Sequence, residues 1–312
     1  MASKESKSIY GNSSSRHNWM FETKEALNNI RENKIKKILY DLENNNNENG
    51  IGGMEVEEDG DKDNNKIIRK LKQEQMLLLH FERKLMELCQ RMKVHETVEA
   101  TAITYFKRFY LSKHSIFEVK YSPVIVSTTC LFIAGKTEEQ RHELTVSKIC
   151  DQVGLTKQVK TVLDMELEVL NTLSFQLRLY HPYASLRHLL RTFQTTRGNN
   201  MSDEVYKVFR ADVYRILRLS FLTDCPFLFS PGQIAMASLE LACTNESTQW
   251  ASTYEKVYND NFLNNVNFED EKLRSVIELI KTEIISTKNI LPPSKDVVVK
   301  VCSEIGIYLP NM

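Results

Sequence analysis

The sequence predicts an all-α fold in which one helical unit is used twice, with further helices flanking the pair. Three observations carry this. From residue 67 onward apolar residues recur at spacings of three and four, and period-two alternation is nearly absent. Residues 121–135, YSPVIVSTTCLFIAG, hold no charge and are apolar or small all round, as a helix enclosed by other helices must be. Residues 229–243, FSPGQIAMASLELAC, repeat that pattern at a shift of 108, which aligns Ser122 with Ser230, Pro123 with Pro231, Leu131 with Leu239 and Ala134 with Ala242. A chain of 312 residues has room for two such units.

The elements follow in order. Residues 1–40 form an N-terminal segment with one helix beginning near Thr23, its apolar positions Ala26, Leu27, Ile30, Ile35, Ile38 and Leu39; Trp19 and Phe21 precede it and need somewhere to pack. Residues 41–66 are rich in Asn, Asp and Glu, with four of the ten glycines between 50 and 60 and only Leu42, Ile51, Met54 and Val56 to bury. Such a stretch cannot offset its ordering entropy, which predicts a disordered linker. Leu77, Phe81, Leu85, Leu88 and Met92 then make one helical stripe, and Ala102, Tyr105, Phe106 and Phe109 the next. Ser122-Pro123, His181-Pro182 and Ser230-Pro231 each set proline at a first helical position, with Ser as a ready cap in two of them.

Composition excludes several function classes. The 41 basic and 41 acidic residues cancel, so the strong positive field of a dedicated nucleic-acid binder is missing. The six cysteines, at 89, 130, 150, 225, 243 and 302, show no CxxC pair and no metal-ligand spacing. They read as reduced core thiols of a cytosolic or nuclear protein. No apolar run of eighteen residues occurs and the first thirty residues carry scattered charges, so the expectation is a soluble, non-exported protein. Phosphate loops, HExxH and GxSxG are absent, and the seven histidines are scattered.

One charge breaks the apolar pattern. At about 100° per residue, Val159, Val162, Leu163, Met165, Leu167, Val169, Leu170 and Leu173 share a broad arc with Glu166 near its middle. A carboxylate on a packing face needs a partner. The candidate is Lys136, the first charge after the uncharged stretch, at the C-terminal end of that helix where a cation is favoured. The pair can be an internal bridge fixing the register of two core helices, or charges at the rim of the core offered to a partner protein. In the second copy Thr244 stands where Lys136 stands in the first, so no shared architectural need for that charge is evident.

The strings TAITYFKRFYL (101–111), LFIAGKTEE (131–139) and VLDMELEVLNTLSFQL (162–177) resemble the cyclin family. That resemblance implies two tandem five-helix cyclin-box folds, at 67–178 and 179–268, with the last helix of the second box and a tail helix in 269–312. YFKRFYL, with Lys107 where many cell-cycle cyclins have Asp, and YHPY (180–183) are similar to the transcriptional cyclins. The ends, IYGNSSSRHNWMFETKEAL (9–27) and NILPPSKDVV (289–298), resemble the regulatory subunit of the CDK-activating kinase associated with transcription factor IIH.

The resemblance implies a nuclear, non-catalytic subunit without cofactors. Its partners would be a cyclin-dependent kinase of the CDK-activating type, a RING-finger assembly-factor subunit and the transcription factor IIH core, with no membrane and no direct nucleic-acid contact. Lys136 and Glu166 match the residues that grip the kinase's regulatory helix, and Ile133, Thr137, Leu170 and Phe175 match positions lining the apolar contact surface. The first-helix motif that docks substrate peptides in cell-cycle cyclins is not recognisable in EQMLLLHFERKL (74–85). Two alternatives stay open. One is a cyclin of the Mediator kinase module, which shares YFKRFYL and YHPY; the other is a factor related to transcription factor IIB. The latter would bring a zinc ribbon, which these cysteines cannot make.

Overall fold

The computed structural model describes residues 13–48, 60–140, 144–196, 201–244, 251–258, 271–307 and 309, and no strand occurs among them. Two compact units emerge: residues 21–177 with the C-terminal segment from Pro292, and residues 178–291 with the N-terminal residues through Met20. In the first unit, α2 (Lys24–Glu48) packs on α3 (Gly60–Arg91), which is followed by α4 (Glu96–Leu111), α5 (Pro123–Thr137), α6 (Val146–Gln152) and α7 (Val159–Thr172). The uncharged α5 is the hub, in contact with α3, α4, α6 and α7. The short α1 (Ser14–Trp19) groups with the second unit, built from α8 (Tyr183–Thr196), α9 (Asp203–Ser220), α10 (Cys225–Leu228), α11 (Pro231–Cys243), α12 (Ala251–Lys256) and α13 (Glu271–Asn289). There α11 is the hub, touching α8, α9, α12 and α13. A last helix, α14 (Lys295–Glu304), belongs to the first unit.

Local chemistry sets the helix starts. Thr23 Oγ1 accepts from the Ala26 amide at 3.1 Å and so caps α2. Pro123 and Pro231 open α5 and α11, where a missing N–H costs nothing. Gln233 Oε1 reaches back to the Ser230 amide at 2.8 Å, whereas Ser122 makes no side-chain capping bond. Pro182 sits one step earlier than expected: its carbonyl accepts from Leu186 and the helix proper begins at Tyr183. Helix also invades the stretch read as a linker, over 41–48 and 60–66, and residues 49–59 lie outside the described set. Once a helix is nucleated, each added residue gains a backbone hydrogen bond at little further cost, so polar composition does not stop it at the edge of the packed region.

All six cysteines are free and buried. Gly135, in the last turn of α5, is pressed by Leu144: a Cβ there would lie 3.0 Å from Leu144 Cδ1 and 3.1 Å from its Cβ. The latter atom is fixed to the backbone, so no rotamer change opens the space. Gly135→Ala is expected to lower stability by about 1 kcal/mol in urea denaturation, overpacking outweighing the gain in helix propensity.

A chain of buried polar groups crosses the first unit. Lys34 of α2 donates to Glu74 Oε2 of α3 at 2.8 Å and to the Tyr110 carbonyl at 2.6 Å. Glu74 Oε1 also accepts from Ser115 Oγ at 2.5 Å and from the Ile116 amide at 3.3 Å. Beside Ser115, the His114 ring stacks on Phe109, lies against Tyr121, and meets Thr172 Oγ1 at 3.0 Å. Burial pulls the His114 imidazole down to about 4, with Lys113 adding to the effect and Glu168 opposing it. The folded state therefore resists the proton that an unfolded histidine accepts near 6.5. Unfolding takes up a proton between those values, so the His114 contribution to stability is full above about pH 6.5 and is lost as pH falls toward about 4. The ring resonances of His114 should stay flat by NMR from pH 8 to about pH 5, and titration near 6.5 would contradict this burial.

Candidate functional site

The Lys136–Glu166 pair forms as the sequence suggested: Lys136 Nζ donates to Glu166 Oε1, joining the last turn of α5 to the middle of α7. Neither partner is sealed in, for the lysine side chain is 34% and the glutamate side chain 22% exposed. A pair this open contributes at most about 1 kcal/mol to stability, so fixing the register of two helices is a weak account of it. The Lys136 amine also sits 4.3 Å from the centroid of the Phe132 ring, which fixes the cation over an aromatic face.

Around the pair lies an uncovered apolar stripe. Leu163, Glu166, Leu167 and Leu170 occupy positions i, i+3, i+4 and i+7 of α7 and so share one face. Leu163 is 43% exposed, Leu167 60%, and Leu170 is half-buried. The helix then ends abruptly. Ser174 and Phe175 both adopt left-handed backbone conformations, with φ of 51° and 55°, and the Phe175 amide returns to the Leu170 carbonyl at 2.9 Å. Each non-glycine residue held there costs about 1–2 kcal/mol. The result is a phenylalanine turned outward, 60% exposed. Strain combined with an exposed aromatic is unfavourable for the free chain.

Thr137 is exposed at the end of α5, its hydroxyl bound to the Ala134 carbonyl at 3.1 Å and within 3.4 Å of the Tyr105 hydroxyl. The Tyr105 hydroxyl donates to the Leu177 carbonyl at 2.6 Å and so ties the chain beyond Phe175 to α4. Ile133 departs from expectation. It is 1% exposed, pointing into the core from α5, and supports the surface from behind without lining it. Periodicity places it on an apolar helix, but α5 is apolar on every side, so its sequence does not say which residues reach water. Leu163 and Leu167, which periodicity places on the packing arc of α7, are exposed instead, the complementary departure. Their flanking of Glu166 was the available signal, since leucines beside an ionised residue on one helical face sit at an edge of the core.

The second unit has its own bridge between hub and last helix, with the charges exchanged. Glu240 of α11 accepts from Lys281 of α13 at 2.9 Å and from the Tyr258 hydroxyl at 2.7 Å. This pair is better covered, at 12% for the lysine and 17% for the glutamate side chain. An ion pair joining hub to last helix is thus common to both units, while the exposed stripe beside Lys136–Glu166 belongs to the first.

Comparison with known proteins matches this architecture. The family model for the cyclin N-terminal domain covers residues 58–178, and that for a cyclin C-terminal domain covers residues 181–284. The chain belongs to the cyclin family. Cyclin-C1-1 of Arabidopsis thaliana is 28% identical over 200 residues, 62% of this chain and 74% of that protein. Cyclin-H1-1 of the same plant is 30% identical over 175 residues, 54% of this chain and 49% of that protein, so this cyclin spans about half of that relative. Among solved structures, a chain of the CAK complex from Chaetomium thermophilum bound to ATP-gamma-S superposes with a TM-score of 0.74 at 20% identity, covering 100% of this chain and 91% of that one. At that identity the likeness is one of fold. As a tandem cyclin fold, the chain has its two boxes in the two units, and the stripe lies on the first of them.

Proposed function

We propose that this cyclin is the non-catalytic regulatory subunit of a nuclear cyclin-dependent kinase of the CDK-activating type, working with transcription factor IIH and a RING-finger assembly subunit. The carrying observation is the stripe of exposed Leu163, Leu167 and Phe175 with half-buried Leu170, framed by the partly exposed Lys136–Glu166 pair. Its mechanism is a population shift. A lone kinase of this kind holds its regulatory helix displaced, so the lysine and glutamate that orient ATP phosphates do not meet. A surface that binds the inward position of that helix preferentially favours it by the difference in affinity for the two states. The apolar stripe supplies the affinity, and the ionic pair sets the register of docking. The complex then phosphorylates the activation segments of other cyclin-dependent kinases and the C-terminal repeats of RNA polymerase II.

The ends of the sequence, residues 9–27 and 289–298, support this type. A second reading, a cyclin of the Mediator kinase module, draws on the alignment to Cyclin-C1-1, which covers more of the chain than that to Cyclin-H1-1. Co-purification with each candidate kinase separates the two. In the same experiment Lys136→Ala, Glu166→Ala and the double variant should keep their helix content by circular dichroism. Each should weaken kinase capture, with non-additive effects, because either single change already breaks the pair. Variants that unfold would return the pair to a structural role, and capture of no kinase by the wild type would sink the assignment.

A further inference from the structure

The buried polar chain of the first unit connects the N-terminal helix to the strained end of α7, and we propose that Lys34 is a positioning residue for the docking surface. The proposal rests on the reading of that surface as a kinase-binding site. The path is short and each step is made. Lys34 holds Glu74, the second carboxylate oxygen of which binds Ser115 Oγ and the Ile116 amide. These contacts pin the loop between α4 and α5 from the side of α2. From the opposite side of the same loop, the adjacent His114 meets Thr172 Oγ1 at 3.0 Å and lies 3.6 Å from Glu168 Oε1, while the Tyr121 hydroxyl donates to Glu168 at 3.1 Å. Thr172 is the last residue of α7, and two residues later begins the left-handed pair that turns Phe175 outward.

The physical case is one of rigidity. Lys34, Glu74, His114 and Ser115 are all buried, so none can trade its partner for water without a large penalty, and the loop has one satisfied arrangement. That arrangement fixes where the His114 ring stands, and the ring fixes the end of α7. A strained turn needs such an over-determined neighbour to persist. Loosening α2 therefore releases the turn, and Phe175 loses its outward pose. The buried pair Lys107–Glu82, at 2.9 Å, offers a comparison: it joins α4 to α3 in the same unit by an ion pair of the same kind.

The test uses the full chain and two readouts, hydrogen exchange of residues 168–177 in the free protein and affinity for the kinase that the wild type captures. Lys34→Met with Glu74→Leu replaces the pair by apolar groups of similar size, a change that buried pairs often tolerate. Ser115→Ala keeps the ion pair and removes the shorter of the two hydrogen bonds from the loop to Glu74, leaving the 3.3 Å bond from the Ile116 amide, which covers the case in which the double variant does not fold. Both should speed exchange at 168–177 and weaken kinase affinity by about fivefold, whereas Lys107→Met with Glu82→Leu should change neither. Unchanged exchange at 168–177 in the Lys34 and Ser115 variants, or equal changes in the Lys107 control, would overturn the proposal. If the wild type captures no kinase, the docking reading fails separately, and the exchange measurement alone decides whether Lys34 positions the turn.

Discussion

Leu167→Asp combined with Phe175→Asp is expected to abolish kinase capture while leaving the cyclin folded. Both side chains are 60% exposed, so in the free chain each aspartate stands largely in water and costs the fold little. On docking, the same positions would lie in the dry centre of the contact. There the loss of an apolar anchor costs about 2 kcal/mol apiece and a carboxylate without a partner adds to it, for a combined effect on the order of a thousandfold or more in affinity. Asp also tolerates the left-handed backbone at 175 better than Phe does, so the thermal midpoint should hold or rise. Titration calorimetry against the cognate kinase, with a thermal melt of the free chain, measures both halves. Affinity within twofold of wild type would place the contact elsewhere.

Lys34→Ala is expected to have the largest effect on stability. It strands Glu74, which is 1% exposed, without its cation, and it takes a donor from the Tyr110 carbonyl as well. Breaking a buried pair from one side costs about 3–5 kcal/mol. Lys136→Ala, by contrast, should cost at most about 1 kcal/mol, because its partly exposed partner can be rehydrated. Denaturant unfolding of the two variants side by side measures the difference. Equal losses would mean that Lys136 supports the fold more than its exposure implies.

Much of the architecture was legible because local signals and packing agree. The uncharged α5 and its Ser-Pro opening recur in α11, and Thr23 caps α2 where its residue type suggests. The odd carboxylate at 166 led to Lys136 for an elementary reason, that an ion on a packing face needs a counterion. What sequence did not disclose is which side of each helix ends up covered. An arc of eight apolar residues on α7 gives no count of the helices lying against it, so the exposure of Leu163 and Leu167 and the burial of Ile133 are tertiary facts. The Lys34–Glu74 pair was hidden for the converse reason, since charged residues on polar helices read as solvent-facing until a neighbouring helix closes over them. The composition of 41–66 shows that it cannot form a core, which says nothing about helices entering from either side.

The exchanged polarity of the second bridge has a consequence for counting. A molecule that reads cation on the hub and anion on the last helix finds that order at Lys136 and Glu166, and meets the reverse at Glu240 and Lys281, where Tyr258 already occupies the carboxylate. On the proposed docking reading, the Glu240–Lys281 bridge does not offer the same order of charges, so the expected composition is one kinase per cyclin, a ratio that mass measurement of the purified assembly reads directly.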